Sequence, residues 1–339
     1  MKKLNALKTL LQTQNLSLLL ISSLIFSIGC RKGIEKEDLK DFQQVNLVAN
    51  NNEYGAPHID PSLRNAWGLA WSPGGIAWVN SEDGHVSELY DKDGAALRPG
   101  VKIPSPADTI GGNPSGIVFN STKGFLLSNG KTASFIFVGT DGVLSAWNGT
   151  ISVGGNRAVK ISSNPATSSY TGLTLAANGG KNLLYAANFK AGRIDVWDTA
   201  WAAVSLPFKD PGLPAGYSPF NIQSVGSWLF VTYAKVAADG TDQAGDGLGF
   251  VDIFNPDGSE AELSGNGARE AILYLRRRGW TDQDVFAIRT AAGEIRPHIT
   301  GPTTCTVEMG RASLRSKDFP SGGDDGTGEV ESAGRTFGF

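Results

Sequence analysis

Cysteine is almost missing: 339 residues contain only Cys30 and Cys305, which excludes a disulfide framework and a cysteine-built zinc site. Histidine is nearly as scarce, with three in the chain. His58 and His85 stand isolated in sequence, and a lone histidine is more often a loop residue than a ligand. Charge is low, 19% of residues with a formal net charge of −3, so no basic face is available for nucleic acid. Long apolar runs are also lacking, and the one at Leu16 to Ile28 is too short to span a bilayer. What remains is 40% hydrophobic residues, 9% aromatics and 43 glycines. That is ample for a buried core in more than one unit, and it describes a turn-rich, β-rich chain rather than a helical bundle.

The N-terminus explains Cys30. Lys2, Lys3 and Lys8 precede the apolar run, and Ser27-Ile28-Gly29-Cys30 closes it with a small residue before the cysteine. The pattern resembles a bacterial lipoprotein signal, in which the cysteine becomes the lipidated first residue of the mature chain. Ser27 departs from the leucine usual three residues before it. An ordinary cleaved signal peptide or a short buried helix is the alternative. Residues 1–30 are thus expected to be a signal peptide and residues 31–42 a charged, polar tether. The expected location is extracytoplasmic, anchored to the outer or cytoplasmic membrane through lipid on Cys30.

From Gln43 the chain repeats itself. Asn65-Ala66-Trp67-Gly68-Leu69, Asn113-Pro114-Ser115-Gly116-Ile117, Tyr170-Thr171-Gly172-Leu173 and Ser218-Pro219-Phe220-Asn221-Ile222 each open a unit. Each is followed by an apolar strand, a glycine turn or polar loop, and a second strand. The marker glycines Gly68, Gly116 and Gly172 recur at roughly the spacing of kelch or WD units, which argues for a β-propeller with one small antiparallel sheet per repeat. Asn221 stands where the fourth glycine would be. A β-sandwich is the alternative, but it gives turns every ~8–12 residues without this longer period.

Several phrases are specific: Asn65 to Ala70, Leu184 to Phe189, Leu213 to Ile222, Val231 to Lys235 and Gly249 to Phe254. They resemble an uncharacterised family of exported bacterial β-propeller proteins with NHL or WD-like repeats. The resemblance covers residues 43–258 and implies about six blades, of which this chain supplies four. It implies fold and compartment, but no chemistry, and the propeller's ligand is unknown. Four blades of a larger ring leave strand edges unpaired, so poor solubility is expected. Asp239, Asp242 and Asp246 could offer oxygens to calcium, but their spacing is not that of an EF-hand, so a solvated loop is the expected reading and no metal is assigned. The tryptophans, Trp67, Trp71, Trp78, Trp147, Trp197, Trp201 and Trp228, are expected to fill space between blades.

After Ser259 the composition changes. Residues 1–259 hold fifteen lysines and five arginines, whereas residues 260–339 hold Lys317 alone and nine arginines. Fold physics does not require such a switch, since either cation serves on a surface, whereas a change in genomic codon composition explains it. The later segment predicts an amphipathic helix over Ala268 to Arg278, with Ala268, Ala271, Ile272 and Leu275 on one face and Gly279 at C′. A hairpin around Ala292-Gly293 and a further strand at Cys305 to Met309 follow.

Asn255 to Arg269, NPDGSEAELSGNGAR, resembles the first active-site motif of diaminopimelate epimerase, a cofactor-independent isomerase of lysine and peptidoglycan precursor synthesis. Inversion at Cα needs one acid/base group on each face, and that family uses two cysteine thiols. The resemblance implies that Asn255 binds the substrate, that the backbone N–H groups of Gly265 and Asn266 cradle its carboxylate, and that Ser264 occupies the place of the first catalytic cysteine. A hydroxyl is a much poorer base than a thiol near neutral pH. Cys305 matches no motif of the family, and the second thiol motif is not found.

The expected fold class is therefore mainly β: an incomplete β-propeller of about four blades followed by a partial α/β epimerase-like unit, residues 259–339. The expected function is an exported, lipid-anchored propeller of unknown binding role fused, as a chimera, to a catalytically incomplete epimerase fragment, with no cofactor. The alternative is a cytoplasmic diaminopimelate epimerase, with diaminopimelate as its ligand.

Overall fold

A computed structural model describes residues 44–260, 265–279, 281–290, 293–308, 329–332 and 335–338. Two compact units divide the chain: Gln44–Glu262, and a second that contains Leu263–Phe339. Cys30, Ser264, the signal-like segment and the tether lie outside the described residues.

In the first unit, β1 (Val48–Ala49) and β2 (His58–Ile59) form a short parallel pair. Four antiparallel sheets follow in chain order. The first comprises β3 (Ala66–Trp71), β4 (Ala77–Ser81), β5 (Val86–Tyr90) and β6 (Val101–Lys102). The second comprises β7 (Pro114–Phe119), β8 (Phe135–Gly139), β9 (Val143–Trp147) and β10 (Val159–Ser163). Then come β11 (Tyr170–Asn178), β12 (Lys181–Asn188), β13 (Arg193–Asp198) and β14 (Ala203–Val204). The last sheet has three strands, β15 (Tyr217–Val225), β16 (Trp228–Lys235) and β17 (Gly249–Phe254). Each sheet is a simple meander whose first strand faces the first strand of the next, so the arrangement is that of four propeller-like blades.

The core lies between successive blades. Trp78 and Leu89 of the first blade meet Ile117, Phe135, Phe137 and Trp147 of the second. Strand β12 shows why its centre, residues 183–187, is an unbroken apolar run. Leu184 and Ala186 face the second blade while Leu183, Tyr185 and Ala187 face the fourth, so the period of two buries both faces. Leu184 is 0% exposed, and such a side chain contributes about 1.5–3 kcal/mol by burial.

Polar ties cross the same seams. Asn80 Nδ2 donates to the carbonyls of Ser115 and Gly116, both at 3.2 Å. Ser115 Oγ donates to Tyr170 O at 2.6 Å, and Ser218 Oγ to Phe189 O.

The marker glycines sit where the seams are tightest. A Cβ on Gly68 would meet Ser115 O at 2.3 Å, one on Gly116 would meet Leu173 Cβ at 2.7 Å, and one on Gly172 would meet Asn221 Oδ1 at 2.1 Å. Each glycine therefore admits the first strand of the next blade. A register shift falls at the same place in β3, β7, β11 and β15, a bulge that bends the strand there. Asn221 has no following blade among the described residues, and its side chain fills the place beside Gly172. The first and last blades meet through Trp67 and Phe220, with ring centroids 5.9 Å apart.

One aromatic expectation needs correction. Trp78, stacked on Phe135 at 4.0 Å, and Trp147 do fill a seam, and Trp201 of the third blade fills another, packing on Phe125 of the second and donating from Nε1 to Leu126 O at 2.8 Å. Trp71, however, is 56% exposed because no described blade covers that face of β3.

The second unit contains α1 (Gly265–Arg277), the meander β18 (Ile288–Thr290), β19 (Gly293–Gly301) and β20 (Thr304–Glu308), and the hairpin β21 (Glu329–Ser332) with β22 (Arg335–Gly338). Helix α1 begins at Gly265, three residues before its apolar stripe, and Ile272 is its fully buried contact. Ala271, expected on the buried face, is exposed. Gly279 adopts φ +68° as the left-handed residue that ends the helix, and Arg276 pairs with Asp284 at 2.6 Å.

Gly116→Ala is expected to cost about 1–3 kcal/mol, because Leu173 N also lies 2.9 Å from the added carbon. Gly74→Ala, whose nearest contact would be 3.8 Å away, should leave the denaturant midpoint unchanged.

Candidate functional site

The stretch shared by both sequence readings, Asn255 to Ser259, is built as a blade turn. Asn255 N donates to Ser259 O at 2.8 Å, and Gly258 N returns to Asn255 O at 2.9 Å. The same pair of bonds closes the turn after β5, with Asp91 N to Ala95 O and Gly94 N to Asp91 O, and the turn after β13, with Asp198 N to Ala202 O and Trp201 N to Asp198 O. The fourth residue of each is left-handed: Gly94 at φ +89°, Trp201 at +68° and Gly258 at +82°. A bridge follows each of the first and last of these turns, Tyr90 to Ala96 and Phe254 to Glu260. Glu260 thus begins the path that the fourth strand takes in the first blade.

Within the turn, Asn255 Nδ2 donates to Ser259 Oγ at 3.1 Å, and Asp257 Oδ1 accepts from Ser259 N at 2.9 Å. Tyr185 OH of the third blade donates to Pro256 O at 2.7 Å. Asn255, expected to bind substrate, takes the turn position that Asp91 and Asp198 hold in the first and third blades. Gly265 and Asn266 open α1 in the second unit, among the first N–H groups that no helical carbonyl satisfies. Asn255 belongs to the first unit, and each group is described within its own. Cys305, on β20, is half-buried with Sγ 3.9 Å from Arg269 O.

Of the isolated histidines, His58 lies on β2 and lines the cavity beside Asp60. His85 Nδ1 lies 2.9 Å from Gly112 O. Asp239 Oδ1 accepts from Thr241 N at 3.0 Å in an exposed turn. No group of metal-ligating side chains forms among the described residues.

Sequence reasoning missed a repeated word, Asp60-Pro61-Ser62-Leu63 before β3 and Asp210-Pro211-Gly212-Leu213 before β15. In the first blade Ser62 Oγ stands between Asp60 Oδ1 and Glu88 Oε1, the latter at 2.6 Å, and Tyr90 OH donates to Asp60 Oδ2 at 2.7 Å. Burial pushes the Glu88 carboxyl up, the Ser62 hydroxyl opposes that, and Asp60 adds to it. These groups line an open cavity of about 850 Å³ with Arg98 and Lys102. The recurrence of Asp-Pro before a marker segment was the available signal.

Comparison with known proteins assigns the two ends differently. Residues 230–315 match the family model of diaminopimelate epimerase. The match begins inside β16, so the strands that complete the fourth blade lie within it. Diaminopimelate epimerase 2 of Nostoc is 50% identical over 74 residues, 22% of this chain and 26% of that enzyme. An uncharacterized protein of Acanthamoeba polyphaga mimivirus is 28% identical over 229 residues, 64% of this chain and 55% of its own length. The chain thus spans about half of the latter relative and a quarter of the former. Among solved structures, Kuenenia stuttgartiensis hydrazine synthase aligns at a TM-score of 0.38 and 15% identity, over 71% of this chain and 57% of that one. The propeller-like arrangement is read from the sheets themselves.

Gly258→Ala should destabilise the first unit by at least about 1 kcal/mol, since its φ is +82° and the new carbon would lie 3.1 Å from Pro207. Equilibrium unfolding of the full chain reads this.

Proposed function

We propose that this chain is an extracytoplasmic, lipid-anchored binding protein whose propeller-like unit is its working body, and that its epimerase-like segment does not turn over diaminopimelate. The observation that carries this reading is the turn at Asn255–Ser259, whose residues are engaged as their counterparts after β5 and β13 are. Ser264 in place of a thiol supports the same conclusion, because two-base inversion needs a competent base on each face of Cα. The lysine-to-arginine switch after Ser259 supports a junction between two genes of different composition.

In a bacterial host the full chain should fractionate with membranes and incorporate labelled palmitate, and Cys30→Ala should abolish both. Retention of label in Cys30→Ala would sink the anchor.

A second reading is favoured by the family match over residues 230–315: a diaminopimelate epimerase. The purified chain is expected to exchange the α-proton of diaminopimelate into deuterated water no faster than its Ser264→Ala variant, followed by NMR. Exchange above that control would establish the second reading instead.

A further inference from the structure

Glu88 stands on the face of the first blade that no described blade covers, a face it shares with Val79 and Leu69 through the register of β3, β4 and β5. It is nevertheless only 6% exposed, because the loop that carries Asp60 and the segment that carries Gly100 close over it. Gly100 makes the space: a Cβ there would lie 2.5 Å from Glu88 Oε2. Oε1 of Glu88 takes the Ser62 hydroxyl at 2.6 Å. Oε2 accepts no hydrogen bond among the described residues, and Glu88 lines the open cavity of about 850 Å³.

The negative charge of this floor is not balanced from within. A hydroxyl proton serves one acceptor at a time, yet Ser62 Oγ also lies 2.5 Å from Asp60 Oδ1, so both bonds form only with a proton on one carboxyl group. Tyr90 OH donates to Asp60 Oδ2 at 2.7 Å. Among the described residues no cation pairs with either carboxyl group. Arg98 lines the cavity but turns its guanidinium to Gly155 O at 2.6 Å and over the Trp147 ring. Lys102 lines it from an exposed position, and His58 completes its titratable lining. Beside these polar groups the walls are apolar: Ile59 and Leu97 are 40% and 48% exposed, and Val86 lies with them.

We infer that this cavity binds a small organic cation, an ammonium group on an aliphatic stem, with Glu88 Oε2 accepting from the ammonium, Asp60 adding its charge, and Ile59, Val86 and Leu97 packing on the stem. An ammonium needs at most three acceptors. A hard metal ion wants about six oxygens, and no group of metal-ligating side chains forms here among the described residues. The inference names a ligand class for the binding role proposed for the first unit and rests on that reading.

Proton and ammonium compete for the same carboxylate. Burial pushes the Glu88 carboxyl up; the Ser62 hydroxyl opposes this and the charge of Asp60 adds to it. Binding is therefore weakest while Glu88 holds its proton and strengthens as pH rises through that raised pKa. An alkylammonium keeps its own charge up to about pH 10.

Calorimetric titration of the purified full chain with n-hexylammonium chloride tests the site. At pH 8 the natural chain should bind the amine, and Glu88→Gln, which keeps the shape of the side chain but not its charge, should bind it roughly tenfold more weakly or worse. Hexan-1-ol, with the same stem and no charge, should bind far more weakly than the amine, and the amine itself should bind less tightly at pH 5 than at pH 8. Absence of amine binding, equal binding of the alcohol, unchanged affinity in Glu88→Gln or tighter binding at pH 5 would each overturn the site. Should Glu88→Gln fail to fold, the comparison of amine with alcohol on the natural chain decides without it. A chain that takes up palmitate at Cys30 but binds no amine loses this site and keeps the anchored reading.

Discussion

Successive blades approach each other so closely at Gly68, Gly116 and Gly172 that no Cβ fits, and much of the first unit follows from that constraint. Backbone of one first strand lies where a side chain of the previous one would be. The bulge at each of these positions turns the strand and lets the next sheet stack against it. Stacking then buries both faces of the middle strands, which is why β8 and the centre of β12, residues 183–187, are apolar runs rather than alternating. Asn221 obeys the same rule from the other side: it is the neighbour that Gly172 makes room for.

The turn from Asn255 to Ser259 shows how one short phrase can belong to two sequence patterns. An asparagine or aspartate at its start, a left-handed fourth residue, for which glycine is the usual choice, and a backbone bond across it belong to the blade turn itself, and Asp91 to Ala95 meets them with the same glycine. Those are the same residue types that open the epimerase motif. Shared turn chemistry therefore accounts for part of the likeness, whereas the continuing match beyond it, through residue 315, is not something a blade turn requires. The chain carries both.

Local and short-range features were legible in the sequence. The four blades could be read from marker glycines and strand spacing, and the end of α1 from Gly279, because φ preferences and hydrophobic periodicity act within a few residues. What could not be read depends on residues far apart in the chain. The exposure of Trp71 depends on the absence of a covering blade among the described residues. Ala271 has the spacing of a buried position, yet it is exposed while its neighbour Ile272 is fully enclosed. The meeting of Ser62 with Glu88 joins a loop to the third strand of its blade, and no single window of sequence contains both. Of the candidate site, Asn255 lies in a blade turn whose bonds join residues four apart, and Ser264 and Cys30 lie outside the described residues.

The two Asp-Pro loops show how a repeated scaffold comes to hold different chemistry at equivalent places. In the first, the loop aspartate, Asp60, is joined through Ser62 to Glu88 on the third strand of its blade. A hydroxyl at Ser62 can donate to one carboxylate and accept from a protonated partner, which spreads the charge over three groups and adds Tyr90 as a further donor. Glycine at 212 has no hydroxyl to do either, and in the fourth blade the loop is held instead by Phe208, whose ring packs on Tyr185 and Phe254. A loop before the first strand can change in this way because the seams between blades are set elsewhere, at Gly68, Gly116 and Gly172.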